Sequence, residues 1–101
     1  MNQIIINHKK QIRALCEKHY VKNLFVFGSA LTELFNERSD IDFLVSFADV
    51  PLLDFADNYL SLCNSLQDIL GREVQVVVES SIRNPVFKRE VDHSKQLLFA
   101  A

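Results

Sequence analysis

The feature that most restricts this chain is a pair of apolar runs with polar punctuation between them. Leu24-Phe25-Val26-Phe27 closes on Gly28-Ser29, and residues 30–39 separate that dipeptide from Asp40-Ile41-Asp42-Phe43-Leu44-Val45. The first run reads as a buried strand over about 23–28 and the second as a strand over about 40–47. Gly28 tolerates the backbone angles of a sharp turn. Ser29 suits a helix N-cap, with Thr32 and Glu33 following in a short helix to about Leu34 or Phe35. Side chains two apart on a strand share a face. Asp40 and Asp42 therefore project together, with Ile41 and Phe43 turned the other way.

This pattern has a chemical use. A hard divalent cation takes oxygen ligands, typically one or two carboxylates completed by substrate phosphates and water. A helix N-terminus preceded by glycine offers free N–H groups and a positive dipole end to a phosphate. Gly28-Ser29, a spacer of this length, and Asp40-Ile41-Asp42 on the next strand resemble the signature of the nucleotidyltransferase superfamily that includes DNA polymerase beta. Arg38-Ser39-Asp40-Ile41-Asp42-Phe43-Leu44-Val45 is most similar to the minimal nucleotidyltransferases (MNT type) that accompany HEPN proteins in toxin–antitoxin pairs. The resemblance extends from Leu24 to the segment after Pro85. It implies an α/β, palm-like fold, a small mixed sheet packed with helices. It also implies Mg²⁺ or Mn²⁺ on Asp40 and Asp42, and ATP or another NTP as substrate. Gly28, Ser29 and nearby amides would then hold the phosphates.

The resemblance breaks at one chemically important place. Gly71-Arg72-Glu73-Val74-Gln75-Val76-Val77 matches the third strand, where catalytic members carry a third carboxylate, and that position is Gln75. An amide oxygen can ligate a cation, but it brings no charge and is no general base at neutral pH. Losing such a group from a two-metal site costs several kcal/mol of transition-state stabilisation, on the order of a thousandfold in rate. Glu73 and Glu79 share the strand face but stand roughly 7 to 13 Å away along it. A second departure follows Ser29: Ala30-Leu31-Thr32-Glu33 lacks the arginine that many relatives place there.

The rest of the chain supplies a frame. A length of 101 residues reads as one domain, 1–101. With 49% hydrophobic and 24% charged residues it can bury a core. A formal charge of −2 gives no strong nucleic-acid footprint, which excludes a template-dependent polymerase. No run is long enough to span a membrane, and Met1 to Ile6 lack the pattern of a signal peptide. Cys16 and Cys63 read as free buried thiols, and the expected setting is cytoplasmic.

A helix is expected over about 7–21, capped by Asn7, with Ile12, Leu15, Cys16, His19 and Tyr20 inward and a basic, solvated face outward. His8 and His19 lack ligand partners at zinc spacing. Pro51 opens a long helix over about 52–70, whose stripe runs from Leu52 and Phe55 to Leu70, and Gly71 stops it. A strand follows over 73–79, then a helix from Asn84-Pro85 to about His93, then Gln96–Phe99 as an edge strand or packed loop.

Three functions fit this reading. One is transfer of a nucleoside monophosphate, from ATP in the first instance, to a hydroxyl on a helical HEPN toxin partner, as an antitoxin in a homo- or hetero-oligomer. A second is an antitoxin acting by contact alone, its metal site decayed at Gln75. The third is modification of a small molecule, disfavoured because so short a chain lacks a second domain to form an acceptor pocket.

Overall fold

In a computed structural model, residues 2–101 are described. The two apolar runs form adjacent antiparallel strands, β1 (Val21–Phe27) and β2 (Ile41–Phe47). Between them Gly28–Leu31 makes one 3-10 turn. A helix α3 (Leu52–Leu70) carries the chain over to β3 (Val74–Val78), which pairs with β2 in parallel. Parallel neighbours need such a crossover, and a 19-residue helix supplies it. After a 3-10 turn at Glu79–Ser81, helix α4 (Pro85–Ser94) leads to β4 (Gln96–Ala100), which closes the other edge against β1. The sheet order is β3-β2-β1-β4, a small mixed sheet of the kind expected. The tail thus resolves as an edge strand.

Alternation along the strands divides two hydrophobic layers. Leu24, Val26, Ile41, Phe43, Val45 and Val76 face one way. There they bury against Leu62, Leu66 and Leu70 of α3 and against the N-terminal helices. Phe27 and Leu44 face the other way, where Val91 of α4 covers them. The Phe27 and Phe87 rings meet edge to face at 6.2 Å. This second layer is smaller, and one end of it is left for polar groups.

Both ends of α3 follow from its sequence. Pro51, extended at φ −54, precedes the first helical residue. Gly71 ends the helix in the left-handed region at φ +67, its N–H donating to the Gln67 carbonyl at 2.9 Å. The Tyr59 hydroxyl donates to the Val76 carbonyl at 2.6 Å and ties α3 to β3. The apolar stripe is shorter than expected: Leu52 is 88% exposed, whereas the Phe55 ring meets Phe47 of β2 edge to face at 5.4 Å.

Three other expectations are corrected. The N-terminal segment is two helices, α1 (Gln3–Asn7) and α2 (Lys9–Lys18), not one over 7–21. Asn2, not Asn7, caps the first, its side chain accepting the Ile4 N–H at 2.8 Å, and Ile5 is fully buried. α2 stops before His19 and Tyr20. His19 is buried, hydrogen-bonded through Nδ1 to the Leu15 carbonyl (2.7 Å) and through Nε2 to the Ser61 hydroxyl (2.9 Å). Tyr20 turns left-handed at φ +59 and is exposed instead of inward. β3 spans 74–78, which leaves Glu73 before it and Glu79 in the following turn.

Candidate active site

The site is built where β1 ends and β2 begins. Phe27 stands opposite Asp42 across the antiparallel pair, and Asp42 stands opposite Gln75 across the parallel pair. Paired residues share a sheet face. Asp42 and Gln75 are therefore neighbours on the α4 side, beyond the patch that Phe27, Leu44 and Val91 fill.

Gly28 is required here for two reasons. Its φ of +75 is a conformation that side chains disfavour. A Cβ on it would also lie 2.5 Å from Asp42 Oδ2. The carboxylate thus rests directly against the glycine backbone, and the two halves of the sequence motif are in contact.

Asp42 is half-buried, and its carboxyl is pushed above the usual carboxylate range. Burial is the larger cause, and the negative charge of Asp40 is the second. Asp40, partly exposed, sits just ahead of β2. Among the described residues neither carboxylate belongs to an ion pair; the ion pairs are Arg13–Glu17, Lys88–Asp92 and Lys95–Asp92. Two carboxylates that repel each other and carry no counter-charge suit a cation.

Gln75 is exposed and stands beside Asp42 across the parallel pair. Neither Glu73 nor Glu79 lies on β3 at the level of Asp42. No cluster of three or more His, Cys, Asp or Glu positioned to hold a metal occurs among the described residues. What the strands bring together here is two carboxylates, Asp40 and Asp42, with the Gln75 amide on the neighbouring strand.

Ser29 differs from expectation. It lies inside the four-residue 3-10 turn and caps no helix; Phe27 occupies the cap position. One such turn aligns too few peptides to make a substantial dipole. Its carbonyl accepts from the Thr32 N–H at 2.9 Å and the Thr32 hydroxyl at 3.0 Å, which closes the turn. Ser29 is partly exposed beside Gly28. A cavity of about 470 Å³ lies at the far end of β2, bounded by Ser46, Phe55, Val78, Glu79 and Lys88.

Two contributors were not visible in the sequence. Phe87 packs on Phe27 and sets α4 beside the site. Arg72 grips the loop that delivers Asp40. An aromatic within an amphipathic helix and an arginine after a helix-stop glycine are both too common to single out.

Residues 8–98 match the family model of the nucleotidyltransferase domain. The chain belongs to the nucleotidyltransferase domain family. It is 33% identical over 88 residues to the protein adenylyltransferase MntA of Thermococcus cleftensis, spanning 87% of this chain and 83% of that one. A solved candidate minimal nucleotidyltransferase superposes with a TM-score of 0.77 at 26% identity, with 95% of each chain covered. The same fold occurs in a solved complex of a tri-AMPylated HEPN toxin from Shewanella oneidensis with MNT antitoxin. That match has a TM-score of 0.65 at 21% identity, over 95% of this chain and 72% of the other.

Proposed function

We propose that this chain is a minimal nucleotidyltransferase that moves AMP from ATP onto a hydroxyl of a HEPN-type toxin, and so acts as its antitoxin. The contact of Gly28 with Asp42, with Asp40 alongside, is the observation that carries this reading. The adenylyltransferase relative and the AMPylated toxin in a complex of this fold support the choice of AMP and of a protein acceptor.

The unpaired carboxylates fit one divalent cation, Mg²⁺ or Mn²⁺. Bound there, such a cation would neutralise phosphate charge and orient the nucleotide for in-line displacement. Asp40 and Asp42 are the residues that would hold it. Gly28, lacking a side chain, lets the backbone of the turn approach a phosphate closely. Ser29, partly exposed beside Gly28, would offer its hydroxyl to a phosphate oxygen. Gln75 contributes at most a neutral oxygen and cannot take the proton of the acceptor hydroxyl. That proton must leave to solvent or to a group on the partner, so transfer is slow. An ATP donor and two free thiols, Cys16 and Cys63, fit a cytoplasmic setting.

A second reading, an antitoxin acting by contact alone, is favoured by one observation: the amide of Gln75 at the position facing Asp42. Mass spectrometry separates the two. The protein is incubated with ATP, Mg²⁺ and the helical protein encoded beside it. A gain of one or more AMP on that neighbour, abolished by Asp42→Asn, is the expected result. Tight complex formation with no mass gain would establish the contact-only reading instead.

A further inference from the structure

Asp40 lies outside β2, on a loop, yet its carboxylate must keep a fixed distance from that of Asp42. Something outside the strand has to hold it. The loop closes on itself first: the Ser39 N–H donates to the Asn36 carbonyl at 3.0 Å, the Asn36 N–H to the Ser39 hydroxyl at 3.1 Å, and the Arg38 N–H to the Asn36 side-chain oxygen at 2.8 Å. This turn gathers its carbonyls around Arg72. The guanidinium donates to Ser39 O at 3.1 Å, Asn36 O at 3.3 Å and Glu37 O at 3.4 Å. Its central carbon lies over the Phe35 ring, 4.5 Å from the ring centre, and Phe35 packs against the main core.

The anchor point of Arg72 is itself fixed. It follows Gly71, whose left-handed turn ends α3, and precedes Glu73, whose carbonyl accepts the Ile41 N–H at 3.2 Å. One short segment thus grips both flanks of Asp40, through Ser39 on one side and Ile41 on the other. The Ser39 carbonyl belongs to the peptide that carries the Asp40 nitrogen, so holding it restricts the Asp40 backbone. Arg72 spends its donors on carbonyls and forms no ion pair with Asp40 or Asp42 among the described residues, leaving both carboxylates free.

We infer that Arg72 is a positioning residue: by clamping the 36–39 loop it sets the distance between Asp40 and Asp42, and so the affinity of the pair for a divalent cation. The inference rests on the reading of those carboxylates as a cation site. A lysine is a poor replacement: its ammonium has three donors on one compact centre and lacks the planar fork that reaches the Asn36, Glu37 and Ser39 carbonyls while lying over Phe35.

The test uses Mn²⁺ alone, with binding followed by electron paramagnetic resonance on the full chain, and thermal midpoints measured in parallel. Supporting groups behind metal ligands typically change metal affinity by roughly 10- to 100-fold, and Arg72→Lys is expected to weaken Mn²⁺ by that factor. The same substitution is expected to speed amide exchange at Ser39 and Asp40 in the metal-free protein. Made on top of Asp40→Asn, it should weaken Mn²⁺ no further, since the ligand it positions is gone. Wild-type Mn²⁺ affinity in Arg72→Lys would overturn the inference. So would an equal loss with and without Asp40→Asn, which would mark a general loss of structure. Arg72→Gln, retaining two donors, serves if the lysine variant is unfolded. Identical Mn²⁺ binding by wild type and Asp42→Asn would instead overturn the cation-site reading, and the inference with it.

Discussion

Gly28→Ala tests whether the turn and the carboxylate form one unit, and the structure provides its own control. Both glycines, Gly28 at φ +75 and Gly71 at φ +67, are left-handed. Placing an L-residue there costs about 1–2 kcal/mol at either position. They differ in what a methyl group would meet. At Gly71 nothing lies within 4 Å, whereas at Gly28 the added carbon falls 2.5 Å from Asp42 Oδ2. Gly71→Ala should therefore show only the backbone cost, about 4 to 16 °C in midpoint at roughly 4–8 °C per kcal/mol for a domain of this size. Gly28→Ala should pay the same and also push the Asp42 carboxylate out of place. A displacement of about 1 Å at reacting groups is enough to cost on the order of a hundredfold in rate. The assay pairs thermal unfolding with Mn²⁺ binding and AMP transfer for both variants. The expected pattern is a similar stability loss in the two, with binding and transfer lost only in Gly28→Ala. Unchanged Mn²⁺ binding in Gly28→Ala would show that Gly28 is merely a turn residue and that its contact with Asp42 has no functional weight.

The remaining expectations concern charge. Gln75→Asp restores a carboxylate facing Asp42 on an exposed strand position; it should raise the transfer rate at least about tenfold, equivalent to 1.4 kcal/mol in the barrier, and equal rates in the two proteins would mean that another group already fills the role. The carboxyl of Asp42 is raised in the folded state, so its ionisation opposes folding: its contribution is most favourable below the unfolded value of 3.8 and is lost as pH rises through the folded value. Metal-free Asp42→Asn should accordingly unfold at a higher temperature than wild type at pH 7, with the gap narrowing toward pH 3.5 and closing at pH 7 when Mn²⁺ is added; a gap independent of pH would contradict this. Burial pushes the Cys16 thiol up to about 12, so at pH 8 it should react with a thiol reagent roughly a thousandfold slower than an exposed cysteine until the protein is unfolded. Rapid native-state labelling at Cys16, read by peptide mapping, would refute that.

Much of the site could be read directly from the chain. Period-two alternation placed Ile41 and Phe43 opposite Asp42, and Val74, Val76 and Val78 on one face of β3. Gly71 stopped α3 where a left-handed glycine is needed. These are local properties, decided by neighbours within a few residues. The errors came where a local signal met a tertiary competitor. Ile4-Ile5-Ile6 carried no helical period, yet Asn2 caps a helix there because Ile5 has a core to enter. Ser29 looked like a cap, but the helix there stops after a single 3-10 turn closed by Thr32, and a loop over 32–40 leads on to β2.

The sequence by itself determined the Gly28-Ser29 and Asp40-Ile41-Asp42 motif and the run of strand, strand, long helix and strand from Leu24 to Val78, which depend on residue type and spacing. That Gln75 stands in the place of a carboxylate came from the resemblance to the family. The register that sets Asp42 between Phe27 and Gln75 was decided only by the tertiary structure, since pairing joins strands remote in sequence and must satisfy two buried layers at once. So were the packing of Gly28 against a carboxylate and the grip of Arg72 on the loop before Asp40. An arginine's donors have no preferred sequence partner; they go to whatever unpaired carbonyls the fold brings within reach.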